Sequence, residues 1–206
     1  MIVVVDYGVN NLKSVVRALT AGGHLATLSS DPAAVRSADR VVIPGVGNFG
    51  EGSRRLARSG LGDAIRDVVS SGRPVLGICL GLQLLFPRSE EADGASGVGV
   101  LEGNVVRIRT TLPVPHVGWA SVSLTEAGAA HPVLASLFPN GEQFFYHVHS
   151  YHPANLADGA ALGTADYGGP FPTIVGKDNI LGAQFHPEKS QQAGIAFLSG
   201  FANWRP

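Results

Sequence analysis

The chain opens on an uninterrupted apolar run, Ile2-Val3-Val4-Val5, that stops at Asp6. A short run without polar alternation fits a strand covered on both faces, as in a parallel sheet. Leu12, Val15, Val16 and Leu19 then recur at helical spacing. That pattern predicts a helix to about Ala21, opened by Asn10 or Asn11 as its cap. Residues 25–28 predict a second short strand, and Ser30-Asp31-Pro32 a short helix with proline in its first turn. Residues 40–43 predict a third strand, followed by a glycine-rich loop over 44–52. Helical spacing over 56–70 breaks near Gly60-Leu61-Gly62, and a fourth apolar strand over 73–78 runs into helical spacing over 80–86.

Strand and helix alternate to this point, the signature of a doubly wound parallel sheet. Beyond Phe86 the texture changes. Residues 105–109, 121–124, 144–148, 161–165, 173–175 and 180–185 predict strands with no long helices between them, and 188–203 returns to helical spacing. No repeat, low-complexity tract or linker divides the chain. The expectation is one domain over residues 1–206, of α/β class. It has a mostly parallel central sheet with helices on both faces and a more antiparallel C-terminal half.

Composition narrows the function classes. The 206 residues are 45% hydrophobic and 15% charged, enough apolar content for a sizeable core. A formal net charge of -1 points to neither nucleic acid nor an anionic membrane. No apolar stretch approaches the roughly 20 residues of a membrane span. The opening run reaches Asp6 too early, and lacks the basic start, for a secretion signal. The chain has one cysteine, so no intrachain disulfide is expected, and a reducing cytoplasm suits it.

That cysteine carries the most chemistry. Cys79 lies in Gly77-Ile78-Cys79-Leu80-Gly81, between an apolar strand and the start of a helix. A strand ending in Gly-x-nucleophile-x-Gly and running into a helix is a nucleophile elbow, so tight that side chains two positions away would clash. The helix N-terminus favours a thiolate there. A lone cysteine is more often a small buried hydrophobe. A cysteine nucleophile needs a base held by a third group, and Gln184-Phe185-His186-Pro187-Glu188 offers both. His186 is expected at the C-terminal end of a strand, the sheet edge where ligands bind. Glu188, two residues on, is placed to fix its tautomer. A lone His-Pro-Glu is more often a surface turn; elbow and turn together are much rarer by chance. His24 and His131 read as surface residues, and His152-Pro153 as a strand exit. His147 and His149 alternate in one strand and share a face, but no ligand-spaced partner supports a metal. Neither metal nor cofactor is expected.

Acyl transfer also requires an oxyanion hole. The elbow supplies the backbone N–H of Leu80. A second donor is expected from Val46 or Gly47 in the glycine-rich loop. Gly45, Gly47 and Gly50 also spell Gly-x-Gly-x-x-Gly, but the next strand ends in Ile78-Cys79 rather than in an acidic residue, which argues against a dinucleotide.

With these residues assembled, the chain resembles the class I (triad) glutamine amidotransferases. Residues 77–85 and 184–188 are similar to that family's two signature segments. Asp6-Tyr7-Gly8-Val9-Asn10-Asn11-Leu12, residues 43–52, Leu101-Glu102-Gly103-Asn104-Val105-Val106, Pro115-His116-Val117-Gly118-Trp119 and residues 146–152 narrow the resemblance to the glutaminase subunits of imidazole glycerol phosphate synthases. The resemblance implies a flavodoxin-like core and attack of Cys79 on the glutamine side chain. It also implies a role for His186 and Glu188 in releasing ammonia, and glutamine held by Gly45, Gly47, Gln83, His149, Ser150 and Tyr151. It further implies a heterodimeric partner, a (β/α)8-barrel cyclase subunit that takes the ammonia in histidine biosynthesis, with Asn11, Trp119, Tyr146 and Lys189 near it. The resemblance also implies that the glycine-rich loop rests with its oxyanion donor turned away until the partner is loaded. Two positions depart from the family pattern: Ala120, usually asparagine, and His147, usually aromatic. The alternatives are the amidotransferase subunit of another pathway, of anthranilate or aminodeoxychorismate type, a stand-alone Cys-His γ-glutamyl hydrolase, and a binding module that keeps these residues without catalysis.

Overall fold

A computed structural model describes all 206 residues. Its first half alternates β1 (Ile2–Val5), α1 (Leu12–Ala21), β2 (Ala26–Ser29), α2 (Pro32–Ser37), β3 (Arg40–Ile43), α3 (Phe49–Ser59), α4 (Leu61–Ser70), β4 (Val75–Ile78) and the short α5 (Leu80–Gln83). Then follow β5 (Asn104–Arg107), β6 (His116–Leu124), α6 (Glu126–Ala130), β7 (Glu142–His149), β8 (Tyr151–Ala154), β9 (Ala161–Asp166), β10 (Pro170–Lys177) and β11 (Ile180–Ala183). A single 3-10 turn, Pro187–Lys189, leads into α7 (Gln191–Asn203).

One nine-stranded sheet carries the fold, in the order β2-β1-β3-β4-β11-β10-β9-β6-β7. The strands from β2 to β11 in that order run parallel, and those from β10 to β7 are antiparallel. The apolar runs explain why the parallel part is central. Ile2 and Val4 of β1 face a core completed by Val15 and Leu19 of α1 and by Phe197, Leu198 and Phe201 of α7. Val3 and Val5 face a second core with Val35 of α2 and Leu56, Leu61, Ile65 and Val68 of α3 and α4. Each such side chain taken fully from water contributes about 1.5–3 kcal/mol, so both faces must be covered.

The antiparallel part curls back toward the C-terminal edge of the parallel strands. The far strand β7 meets the chain just after β11: the His186 N–H donates to the Tyr146 carbonyl at 2.8 Å, and the rings of Phe145 and Phe185 stack at 3.9 Å. A separate two-stranded sheet pairs β5 with β8.

Several boundaries differ from the sequence reading. The glycine-rich loop is shorter than expected, because Asn48 caps α3 by accepting from the Glu51 N–H at 3.1 Å and the helix starts at Phe49. Gly60, at φ 70°, ends α3 and begins α4. Asn11 stands at the start of α1, yet its side chain makes no cap bond; it is used elsewhere, as described below. His152 and Pro153 lie inside β8 rather than at a strand exit, paired with Val106 and Val105. The helix expected to follow Cys79 ends early, at Gln83, and α6 was not foreseen. His24 and His131 are only partly exposed, and the His131 ring lies 5.1 Å from that of Trp204.

The elbow glycines are dictated by sterics. A Cβ on Gly81 would sit 1.7 Å from the Ile43 carbonyl oxygen, and one on Gly77 would sit 2.6 Å from the Leu82 Cα. Both obstacles are backbone, so no side chain can turn away. Gly81→Ala is therefore expected to destabilise the protein by about 3 kcal/mol, at the upper end for overpacking. Gly72→Ala, at φ +75° with nothing within 4 Å of the added carbon, is expected to cost only about 1 kcal/mol from backbone strain. Equal losses for the two variants in urea denaturation would contradict this steric account.

Candidate active site

Parallel pairing of β4 with β11 sets Gly77 against Gly182 and Ile78 against Ala183. One step further, the Cys79 N–H donates to the Ala183 carbonyl at 2.7 Å. Cys79, 6% exposed, adopts φ 52° and ψ -109°. Positive φ is strained for a side-chain-bearing residue, and such strain persists only where surrounding packing imposes it. Here the flanking glycines and the two neighbouring strands impose it.

His186 follows β11 by three residues and is 1% exposed. Its Nδ1 lies 2.7 Å from Glu188 Oε1, and neither side chain is open to water. The Asn11 Nδ2 donates to the same Oε1 at 2.5 Å, which explains why that asparagine does not cap α1. Ser190 braces the turn, its hydroxyl donating to the His186 carbonyl at 2.7 Å and accepting the Tyr146 N–H at 3.0 Å. With Nδ1 bonded to the carboxylate, Nε2 is buried with no hydrogen-bond partner of its own, free for the sulfur. Burial disfavours the imidazolium, but the negative charge of the nearby Cys79 sulfur, with the charge and hydrogen bond of Glu188, outweighs it and pushes His186 up to about 10. Burial chiefly, and then the Cys79 charge, raise the Tyr7 hydroxyl above its ordinary range; this hydroxyl donates to the Pro44 carbonyl at 2.8 Å.

A cleft of about 240 Å³ opens beside the sulfur, lined by Val46, Gly47, Cys79, Leu80, Gln83, Glu91, Pro115 and residues 148–151. The expected Gln83, His149, Ser150 and Tyr151 are all there. The expected Gly45 does not line it; its carbonyl accepts the Leu80 N–H at 3.3 Å. The elbow donor expected to hold an oxyanion is thus engaged by the loop in this conformation. An unpaired buried N–H is costly, and the loop carbonyl satisfies it. Gly47, at φ 132°, gives the loop the freedom to turn. Gly45 itself has no room for a side chain, since a Cβ there would meet the Tyr7 hydroxyl at 2.2 Å.

Two residues of the site escaped the sequence reading, one lining the cleft and one buried beside the sulfur. Glu91 is the only carboxylate lining the cleft, and its Oε2 accepts the Phe49 N–H at 2.6 Å. No motif marks it, because it reaches the site from a loop more than a turn of chain away from the elbow. Gln184 was visible inside the segment ending in His-Pro-Glu, but only the register of β11 on β4 brings its amide 3.6 Å from Cys79 Sγ.

Of the positions expected at a partner, Trp119, Tyr146 and Lys189 gather on one patch. The Trp119 and Tyr146 rings lie 6.2 Å apart, and Lys189 Nζ stands 5.7 Å over the Tyr146 ring. Trp119 is not a core aromatic; it is 46% exposed, with Val117 at 57% and Phe144 at 51% on the same face of β6 and β7. Asn11 is set apart from them, on Glu188. His147 is fully buried, its ring against His116 at 5.0 Å and His149 at 5.5 Å, and burial chiefly lowers it to about 3.

Comparison with known proteins follows the same lines. Residues 3–202 match the family described as glutamine amidotransferase class-I. The imidazole glycerol phosphate synthase subunit HisH of Symbiobacterium thermophilum is 48% identical over 203 residues, spanning 98% of this chain and 92% of that protein. The subunit of the same name from Bacillus subtilis is 43% identical over 207 residues, spanning 98% of this chain and 95% of that protein. Among solved structures, PurLQS from Thermotoga maritima superposes with a TM-score of 0.77 at 17% identity, over 98% of this chain and 97% of that one, a likeness of fold.

The raised His186 fixes a sign for pH. Its contribution to stability is full below its ordinary value of 6.5 and lost as pH rises through about 10. Stability is expected to fall between pH 7 and pH 10, and less steeply in Cys79→Ser, which removes the thiolate. Urea denaturation of both proteins at the two pH values measures it; identical slopes would contradict a thiolate facing this imidazole.

Proposed function

We propose a Cys79, His186 and Glu188 mechanism for this chain, which belongs to the class I glutamine amidotransferases and is the glutaminase subunit of an imidazole glycerol phosphate synthase in histidine biosynthesis. What supports the mechanism is a strained cysteine at the cleft and, on the adjoining strand end, a carboxylate-held imidazole whose buried Nε2 has no other partner. Residues 1–206 act as one amidotransferase domain.

Glutamine enters the cleft with its α-ammonium toward Glu91, whose carboxylate is the one negative side chain there. Gln83, His149, Ser150, Tyr151 and the Gly45–Gly47 loop hold the rest. Cys79 Sγ attacks the side-chain amide carbon, forming a C–S bond and placing the electron pair on oxygen. His186, oriented by Glu188, gives its proton to the departing nitrogen as ammonia leaves. The resulting glutamyl thioester is then attacked by water, His186 Nε2 taking the proton, and glutamate and the thiol are released.

The oxyanion is held by the N–H groups of Leu80 and of Val46 or Gly47. For that, the Gly45 carbonyl must leave the Leu80 N–H, so the described conformation is a resting one. Losing one such donor costs roughly 10²–10³ in turnover. A subunit resting this way wastes little glutamine when alone.

The ammonia acceptor lies in the partner, a (β/α)8-barrel cyclase subunit forming a heterodimer with this chain. The face of β6 and β7 carrying Val117, Trp119, Phe144 and Tyr146 is exposed and apolar, which suits a protein interface. Lys189 borders it over the Tyr146 ring, and Asn11 lies beneath through Glu188. A free thiol in a biosynthetic subunit suits the reducing cytoplasm. Another pathway's amidotransferase subunit would require a different partner on this face, and a stand-alone hydrolase none.

Two outcomes test the reading. Cys79→Ala is expected to abolish glutamine-dependent synthesis by the complex, below about 10⁻³ of wild type, and to leave synthesis from added ammonia intact; loss of both would contradict the division of labour. Phe144→Asp is expected to weaken partner binding at least tenfold in titration calorimetry, with the fold unchanged by circular dichroism. Unaltered affinity would place the interface elsewhere.

A further inference from the structure

We propose that Gln184 is a direct hydrogen-bond donor to the Cys79 thiolate, held in that orientation by Gln83; this rests on Cys79 being the nucleophile. Gln184 is fully buried and Gln83 is 5% exposed. A primary amide offers two N–H donors on one side and an acceptor oxygen on the other, and which end faces which neighbour is normally a matter of network logic. Here the network closes. The Tyr151 carbonyl can only accept, and it lies 3.1 Å from the Gln83 amide, so the Gln83 nitrogen faces that way. The same nitrogen lies 3.1 Å from the Gln184 side chain, which must therefore present its oxygen, Oε1. That leaves Gln184 Nε2 facing Cys79 Sγ at 3.6 Å. The backbone carbonyl of Tyr151 thus sets, two amides away, a donor aimed at sulfur.

The backbone gives this amide little freedom. The Gln184 N–H donates to the Thr173 carbonyl at 2.8 Å, and the preceding Ala183 carbonyl accepts the Cys79 N–H at 2.7 Å. Both residues are pinned side by side at the ends of adjacent strands. The sulfur has one other protein neighbour of note, the Val148 carbonyl at 4.0 Å. A thiol can donate to that carbonyl, but a thiolate cannot; it needs donors. Gln184 supplies one at 3.6 Å, the unpartnered Nε2 of His186 is available as a second, and the cleft opens beside the sulfur. The titratable groups around Cys79 are His186 from the turn after β11, Tyr7 from the loop after β1, and Glu91 and His149, which line the cleft with it. A neutral donor among them stabilises negative sulfur without competing for its proton. Glutamate at position 184 would keep the bond to Gln83 but place a second negative charge there; methionine would keep the volume and offer no donor.

The test uses the complex with its partner and two near-isosteric variants, Gln184→Met and Gln184→Glu. Iodoacetamide alkylation of Cys79 is followed against pH, and kcat and KM for glutamine are measured in parallel. Thermal melts identify which variants are folded. Gln184→Met is expected to slow alkylation about tenfold at neutral pH, to displace the alkylation profile toward higher pH, and to lower kcat about tenfold with KM within twofold. Gln184→Glu, which retains the bond to Gln83, is expected to lose more. A folded variant with a wild-type alkylation profile would overturn the proposal, because a packing role alone leaves that profile in place. Turnover surviving in Cys79→Ala would instead overturn the nucleophile itself, so the two failures are told apart.

Discussion

The parallel pairing of β4 with β11 is the constraint on which the site depends. These strands are separated by about half the chain, and their ladder brings Cys79 and Gln184 to adjacent strand ends. Everything chemical follows within a few residues of that edge: the elbow from one strand, the imidazole and carboxylate from the turn after the other. Two apolar cores clamp this pair of strands from opposite faces. Leu76, Ile78, Leu181 and Ala183 face one, and Val75 and Ile180 face the other. Sliding the register by one residue would exchange the faces of all these side chains, so packing holds the chemistry in place.

The same edge explains how a surface patch reaches His186. Tyr146 presents its ring beside Trp119 and Lys189, while its carbonyl accepts the His186 N–H and its own N–H bonds Ser190. A protein seated on that ring is one residue of backbone from the imidazole. On the other side of the cleft, the Gly45 carbonyl closes the Leu80 donor. Both features fit an enzyme built to act when joined to a partner and to idle otherwise.

The sequence made much of this legible where the signal was local. The elbow glycines around Cys79, the two-residue step from His186 to Glu188 and the apolar runs of β1 and β4 each encode their geometry within a few positions. What escaped was nonlocal. Gln184 stood in plain view, yet its task depends on which strand lies beside β4. Glu91 comes from a loop with no periodic pattern. Asn11 looked like a helix cap, and only the tertiary fold shows its amide drawn to Glu188. The early start of α3 was hidden because its first turn, Phe49-Gly50-Glu51-Gly52, is rich in glycine and reads as loop, whereas Asn48 and Glu91 together satisfy its free N–H groups.

The central claim is that sulfur and imidazole, far apart in the chain, form one ion pair, the imidazole holding the proton. Nuclear magnetic resonance titration of the His186 ring in wild type and in Cys79→Ala measures it directly. The account requires the imidazole to titrate high, near 10, in the wild-type protein, and markedly lower once the sulfur is gone. An identical midpoint in the two proteins would mean that the thiolate does not face this histidine, and the mechanism built on their contact would fail.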